Sequence, residues 1–140
     1  MAKIMLPLLL LAAIVLPASA EDLGFGTPSI QITSPGDNTT VPAGNVTITV
    51  HVDDFTVEDN FGAANVDGQG HIHYFKDVAV PTTPGKIAVT ANDTWVMSAN
   101  TSYTWPNIAA GMHRFATELV NNDHTPLNPP KYAMVNVTAT

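Results

Sequence analysis

Between residues 46 and 52 apolar and polar side chains alternate. Val46, Ile48, Val50 and Val52 are separated by Thr47, Thr49 and His51, the period-two pattern of a strand with one buried face. Comparable alternating or β-branched runs lie at 29–33, 71–80, 86–90, 94–97, 101–105, 112–120 and 132–138, each bounded by Pro, Gly, Asn or Asp. Beyond residue 20 no segment of about twelve residues carries an unbroken apolar stripe at helical spacing. The pattern predicts an all-β sandwich of about seven strands.

The N-terminus follows a different pattern. A positive start at Lys3 leads into an almost continuous apolar run from Ile4 to Leu16, which ends in Ala18-Ser19-Ala20. A basic start, a short apolar stretch and a small-x-small site are the marks of a cleavable signal peptide. The run is short for a bilayer span, and Pro7 and Pro17 disfavour a stable membrane helix. The expectation is a signal peptide at 1–20 and one sandwich domain at 21–140, secreted or cell-surface associated, with no membrane insertion after cleavage.

Charge and cysteine content narrow the functions open to that domain. Beyond residue 20 there are four basic side chains (Lys76, Lys86, Arg114 and Lys131) and all twelve acidic ones. A surface so poor in cations excludes nucleic acid and anionic membranes, which need a basic footprint. The absence of cysteine excludes disulfides and thiolate ligands, so stability has to come from the apolar core.

Ser29-Ile-Gln-Ile-Thr-Ser-Pro-Gly-Asp-Asn38 with Val46-Thr-Ile-Thr-Val50 resembles the first strands of immunoglobulin-like and fibronectin-III-like modules of secreted prokaryotic proteins. Gly111-Met-His-Arg-Phe-Ala-Thr-Glu-Leu-Val-Asn-Asn-Asp123 is similar to their penultimate strand and its exit turn. Gly70-His-Ile-His-Tyr-Phe-Lys-Asp77 and Asn121-Asn-Asp-His-Thr-Pro-Leu127 resemble a group of exported single-domain proteins of uncharacterised function. In that group Gly-His-x-His is followed some way on by Asn-Asp-His-Thr-Pro. The resemblance implies an immunoglobulin-like antiparallel β-sandwich and no particular activity.

Histidine carries the candidate chemistry. His71 and His73 stand two apart in a strand pattern, so both imidazoles leave one face, with Cα atoms roughly 7 Å apart. Imidazole pairs at this spacing suit Zn, Cu, Ni or Fe, with Cu or Zn the leading expectation. In an immunoglobulin-like sandwich their strand falls at C and 112–120 at F, antiparallel neighbours, so the start of C lies beside the end of F. His124 then joins His71 and His73, with Asp123 as a possible fourth ligand and His51, at the end of strand B, as a peripheral candidate. One cation bridges ligating nitrogens no more than roughly 4–5 Å apart. His113 lies at the start of F, roughly 23 Å from its far end, and is read as structural. There it shares a face with Phe115 and Leu119 and takes the place of the residue that ties down the strand corner.

Other signals compete. Asp53, Asp54, Glu58, Asp59 and Asp67 invite a calcium reading but lack the EF-hand order. Asn38, Asn45, Asn92, Asn100 and Asn136 begin Asn-x-Ser/Thr sequons, candidates for glycosylation. Tyr74, Trp95, Tyr103 and Trp105 serve either a carbohydrate platform or the core. His71-x-His73-x-x-x-Asp77 and Gly111-x-His113 resemble cupin metal motifs, with Asp77, Asn65 and Thr117 departing from the cupin pattern; that arrangement would need His113 at the metal. No Gly-x-Ser-x-Gly elbow is present, and no convincing catalytic constellation emerges. The functional expectation is a non-enzymatic module binding Cu or Zn through His71, His73 and His124. The alternative is a structural cell-surface or assembly domain without ligand, its partner a cell-surface protein rather than a metal ion.

Overall fold

A computed structural model describes residues 26–140. The expected signal peptide lies outside the described residues. Among the described residues nine strands form two sheets. β1 (Ser29–Ser34), β3 (Gly44–Asp53) and β7 (Ser102–Ile108) make the smaller one, in the order β1-β3-β7. The larger runs β2 (Thr39–Val41), β9 (Pro126–Ala139), β8 (Gly111–Asn121), β5 (Gln69–Lys76) and β4 (Thr56–Val57), with β6 (Trp95–Ser98) also paired to β5. β3, β5, β7, β8 and β9 take the places of strands B, C, E, F and G of an immunoglobulin-like sandwich. Among the described residues no helix is long and apolar enough to cross a membrane.

The alternation at the start of β3 does what its period implies. Val46, Ile48 and Val50 are buried, while Asn45 and Thr47 are exposed. Thr47 meets Thr104 of β7 through a 2.8 Å hydroxyl–hydroxyl bond on the solvent side. The inner faces of the two sheets close over Ile48, Ile72, Tyr74, Trp105, Phe115, Leu119, Val135 and Val137. Each fully buried aliphatic or Phe side chain contributes roughly 1.5–3 kcal/mol of transfer free energy, which accounts for a fold without disulfides.

β5 departs from simple alternation: all six residues from Gly70 to Phe75 are buried. Ile72 and Tyr74 enter the inter-sheet core, so His71, His73 and Phe75 face away from it. In an exposed antiparallel sheet that second face meets water. Here the connections on either side of β5 cover it. The expected strand at 86–90 is not one; that segment is irregular and lies against the outer face, where Ala88 is fully buried. Its β-branched composition serves packing rather than a ladder. Likewise the strand expected over 71–80 ends at Lys76.

Gly70 has a steric reason to precede the histidines. A Cβ there would run into the Val120 carbonyl and press on the Phe55 ring. Any side chain would therefore push β5 away from β8, the strand whose exit turn completes the site.

Candidate metal centre

β5 and β8 run antiparallel, with Gly70 opposite Asn121, His71 opposite Val120 and His73 opposite Glu118. Immediately beyond, the chain turns through Asn121–Thr125. The Asn121 N–H donates to the Thr125 carbonyl at 2.8 Å, and the His124 N–H donates to the Asn121 carbonyl at 2.9 Å. His124 itself sits at φ 67°, the left-handed region that costs most residues energy and for which His is enriched. This turn folds the His124 ring back over β5. Ala88 fastens both sides: its N–H donates to the His124 carbonyl at 2.8 Å, and its carbonyl accepts from His73 Nδ1 at 2.7 Å.

The three rings converge. His71 Nε2 lies 3.1 Å from His73 Nε2 and 3.0 Å from His124 Nδ1, and the third side of the triangle is 3.3 Å. Because His73 Nδ1 donates to a carbonyl, its Nε2 lone pair faces the triangle. Burial, together with the neighbouring His124, lowers His71 to a pKa of about 4. Burial lowers His73 to about 3, against the opposing effect of its bond to Ala88. At neutral pH both imidazoles are therefore uncharged and able to ligate. An ion held by imidazoles at about 2.05 Å in tetrahedral directions would space their nitrogens about 3.3 Å apart. The observed triangle is close to that. One N–H points along one line and cannot satisfy three converging contacts, whereas a cation at the centre can. His71, His73 and His124 can thus hold a metal ion. Phe61 stands edge-on to His71 at 4.8 Å between centroids, and Trp95 lies 4.9 Å from His73, so two aromatic rings wall the site.

The other sequence candidates go elsewhere. Asp123 is not brought in as a fourth ligand. Its Oδ1 accepts from the Thr125 N–H at 3.1 Å and the Thr125 hydroxyl at 2.6 Å, which builds the turn that aims His124. His51 is on the other sheet, exposed, with Nε2 3.0 Å from Asp53 Oδ1. His113 sits between two acceptors: Nε2 lies 3.0 Å from the Ala109 carbonyl and Nδ1 2.8 Å from Asp77 Oδ2. It faces Phe115 seven residues before Val120 along β8, far from the triangle, so the cupin arrangement is not formed. The acidic set from Asp53 to Asp67 makes no converging group with three or more ligand side chains; among the described residues only the three histidines do. Tyr74 is fully buried and donates to the Asn100 carbonyl at 2.8 Å, and Tyr103 packs against both Tyr74 and Trp105. These aromatics form core rather than a flat platform. All five sequon asparagines are solvent-exposed.

Sequence reasoning missed Glu118. It is fully buried, neither carboxylate oxygen has a hydrogen-bond partner, and burial raises its pKa to about 8. His71 Nδ1 and Asn122 Oδ1 are buried without partners as well. One signal was available. Phe115 and Leu119 read as core, so Ala116, Glu118 and Val120 share the histidine face; that this face is covered has no counterpart in the pattern.

No protein-family model matches the chain, and no curated protein sequence matches it. Among solved structures it is similar to a crystal structure of an engineered protein from the Northeast Structural Genomics Consortium. That similarity is at 13% identity and TM-score 0.46, covering 84% of this chain and 21% of the other.

Proposed function

We propose that the mature domain is an exported, non-enzymatic module that binds one Cu or Zn ion through His71, His73 and His124. The observation carrying this reading is the nitrogen triangle of 3.0–3.3 Å, two of its members buried and kept neutral. A purely structural histidine cluster would be expected to satisfy its ring nitrogens with carbonyls or carboxylates, as His113 does. Imidazole ligands without thiolates suit Cu or Zn, and divalent copper is held more tightly than zinc by such nitrogen sets. Three protein ligands leave a fourth coordination position for water or another ligand. His124, the partly exposed member, is the side from which an ion can enter.

The test is metal analysis of the purified mature protein after loading with Zn²⁺ or Cu²⁺ and dialysis at neutral pH. About one equivalent should remain, as expected for one closed ligand set. Retention of less than about a tenth of an equivalent of either metal would sink the reading and favour the ligand-free structural domain.

A further inference from the structure

Position 118 on β8 faces outward from the sandwich core, under the loops that cover the histidines. Its neighbours along that face of the strand are Ala116 and Val120, both almost fully buried. A covered position of this kind accepts an apolar side chain readily. Glu118 occupies it with 0% exposure and both carboxylate oxygens unpartnered. Among the described residues no Lys or Arg pairs with it; the only salt bridges there join His51 to Asp53 and His113 to Asp77. A buried carboxyl group without a hydrogen-bond partner is destabilising with or without its proton, so packing and local hydrogen bonding do not explain this residue.

Register supplies a partner. Glu118 is directly opposite His73 on β5, and side chains so paired on one face have Cβ atoms roughly 5 Å apart. The other neighbour across the ladder is Tyr132 of β9, half-exposed. The three histidines are neutral ligands, so a divalent ion among them brings two uncompensated positive charges into a buried, aromatic-walled site. Long-range attraction is strongest where water is excluded.

Resting on the histidine reading, we propose that Glu118 is the counter-charge of the bound ion, a specificity-determining residue that makes the site prefer divalent over monovalent cations. It acts from the neighbouring strand and is not one of the ligands. Its place in the structure is set by the charge of the ion rather than by the fold, which explains an acid among buried alanine and valine.

The test is calorimetric titration of the wild type, Glu118→Gln and Glu118→Leu with Zn²⁺ and with Ag⁺, plus melting curves of the metal-free proteins. Both variants should lose about ten- to a hundredfold in Zn²⁺ affinity, the usual effect of removing an outer-shell partner. Ag⁺ affinity should fall by only about half as much on a logarithmic scale, because a single charge feels half the same attraction, and both metal-free variants should melt at or above the wild-type temperature. Unchanged Zn²⁺ affinity, or an equal loss for both ions, would overturn the proposal. So would a metal-free Glu118→Leu that melts well below wild type, which would mark a packing residue. Wild type that binds neither Zn²⁺ nor Cu²⁺ in the same titration removes the histidine site and this inference together; wild type that binds while the variants match it removes the inference alone.

Discussion

At one end of the β5–β8 pair three histidine rings point their nitrogens at one another; at the other end a single ring points its nitrogens at acceptors. His113 faces Asp77 Oδ2 with Nδ1 and the Ala109 carbonyl with Nε2. To donate to both it must carry two protons, and its hydrogen bond to Asp77 raises its pKa accordingly. The second Asp77 oxygen accepts the Arg114 N–H at 2.9 Å, so the pair ties the end of β5 to the start of β8. His71 and His73 are desolvated by burial, with no carboxylate hydrogen-bonded to either ring, and their pKa values fall to about 4 and about 3. One residue type thus serves as a cationic brace or as a neutral ligand. The difference lies in whether an acceptor or another lone pair stands opposite the ring.

The largest expected break in this comparison is in metal affinity. His73→Ala removes a ligand and leaves the Ala88 carbonyl without its donor, and should weaken Zn²⁺ binding by more than about a hundredfold, beyond the loss of an outer-shell group. His113→Ala and His51→Ala should leave Zn²⁺ affinity unchanged. Titration calorimetry of the three variants decides it; equal losses in His73→Ala and His113→Ala would erase the distinction between the two ends.

A smaller effect should show in the pH dependence of metal-free stability. His71 and His73 have folded pKa values below the unfolded 6.5, so the stability they allow is complete above that value. It is lost as pH falls, because the unfolded chain takes up the protons first, at up to about 1.4 kcal/mol per pH unit for each group. His113 has the opposite sign. Its folded pKa is raised, so its contribution is present below 6.5 and is lost as pH rises through the folded value. Glu118, raised from 4.5 to about 8, also subtracts stability as pH rises between those values. Denaturant unfolding with chelator present should therefore give maximal stability near pH 6.5, with His113→Gln shallower on the alkaline side only. A variant shallower on the acid side would mean that His113 is not the cationic member.

The parts legible in the sequence were those that depend on period and topology. The alternation of Val46, Ile48 and Val50 identified a strand with one core face. The two-residue spacing of His71 and His73 put both rings on one side. The neighbouring of strands C and F brought His124 to them across some fifty positions in sequence. The illegible parts depend on coverage. Nothing in the alternation says that the connection after Lys76 lies over the outer face, so Ala88 was assigned to a strand rather than to the bond that fixes the His73 tautomer. For the same reason nothing in the pattern marks Glu118, on the same face, as buried. Asp123 was a plausible ligand by adjacency, but the turn that presents His124 uses its carboxylate to close on Thr125.

The central claim is a statement about three particular nitrogens, and ¹⁵N-detected correlation of histidine side chains reads them one by one. On addition of one equivalent of Zn²⁺ at neutral pH, His71 Nε2, His73 Nε2 and His124 Nδ1 should shift to metal-bound values, while the rings of His51 and His113 stay as they were. Unshifted nitrogens in the triad, or shifts at His51 or His113 in their place, would contradict the account.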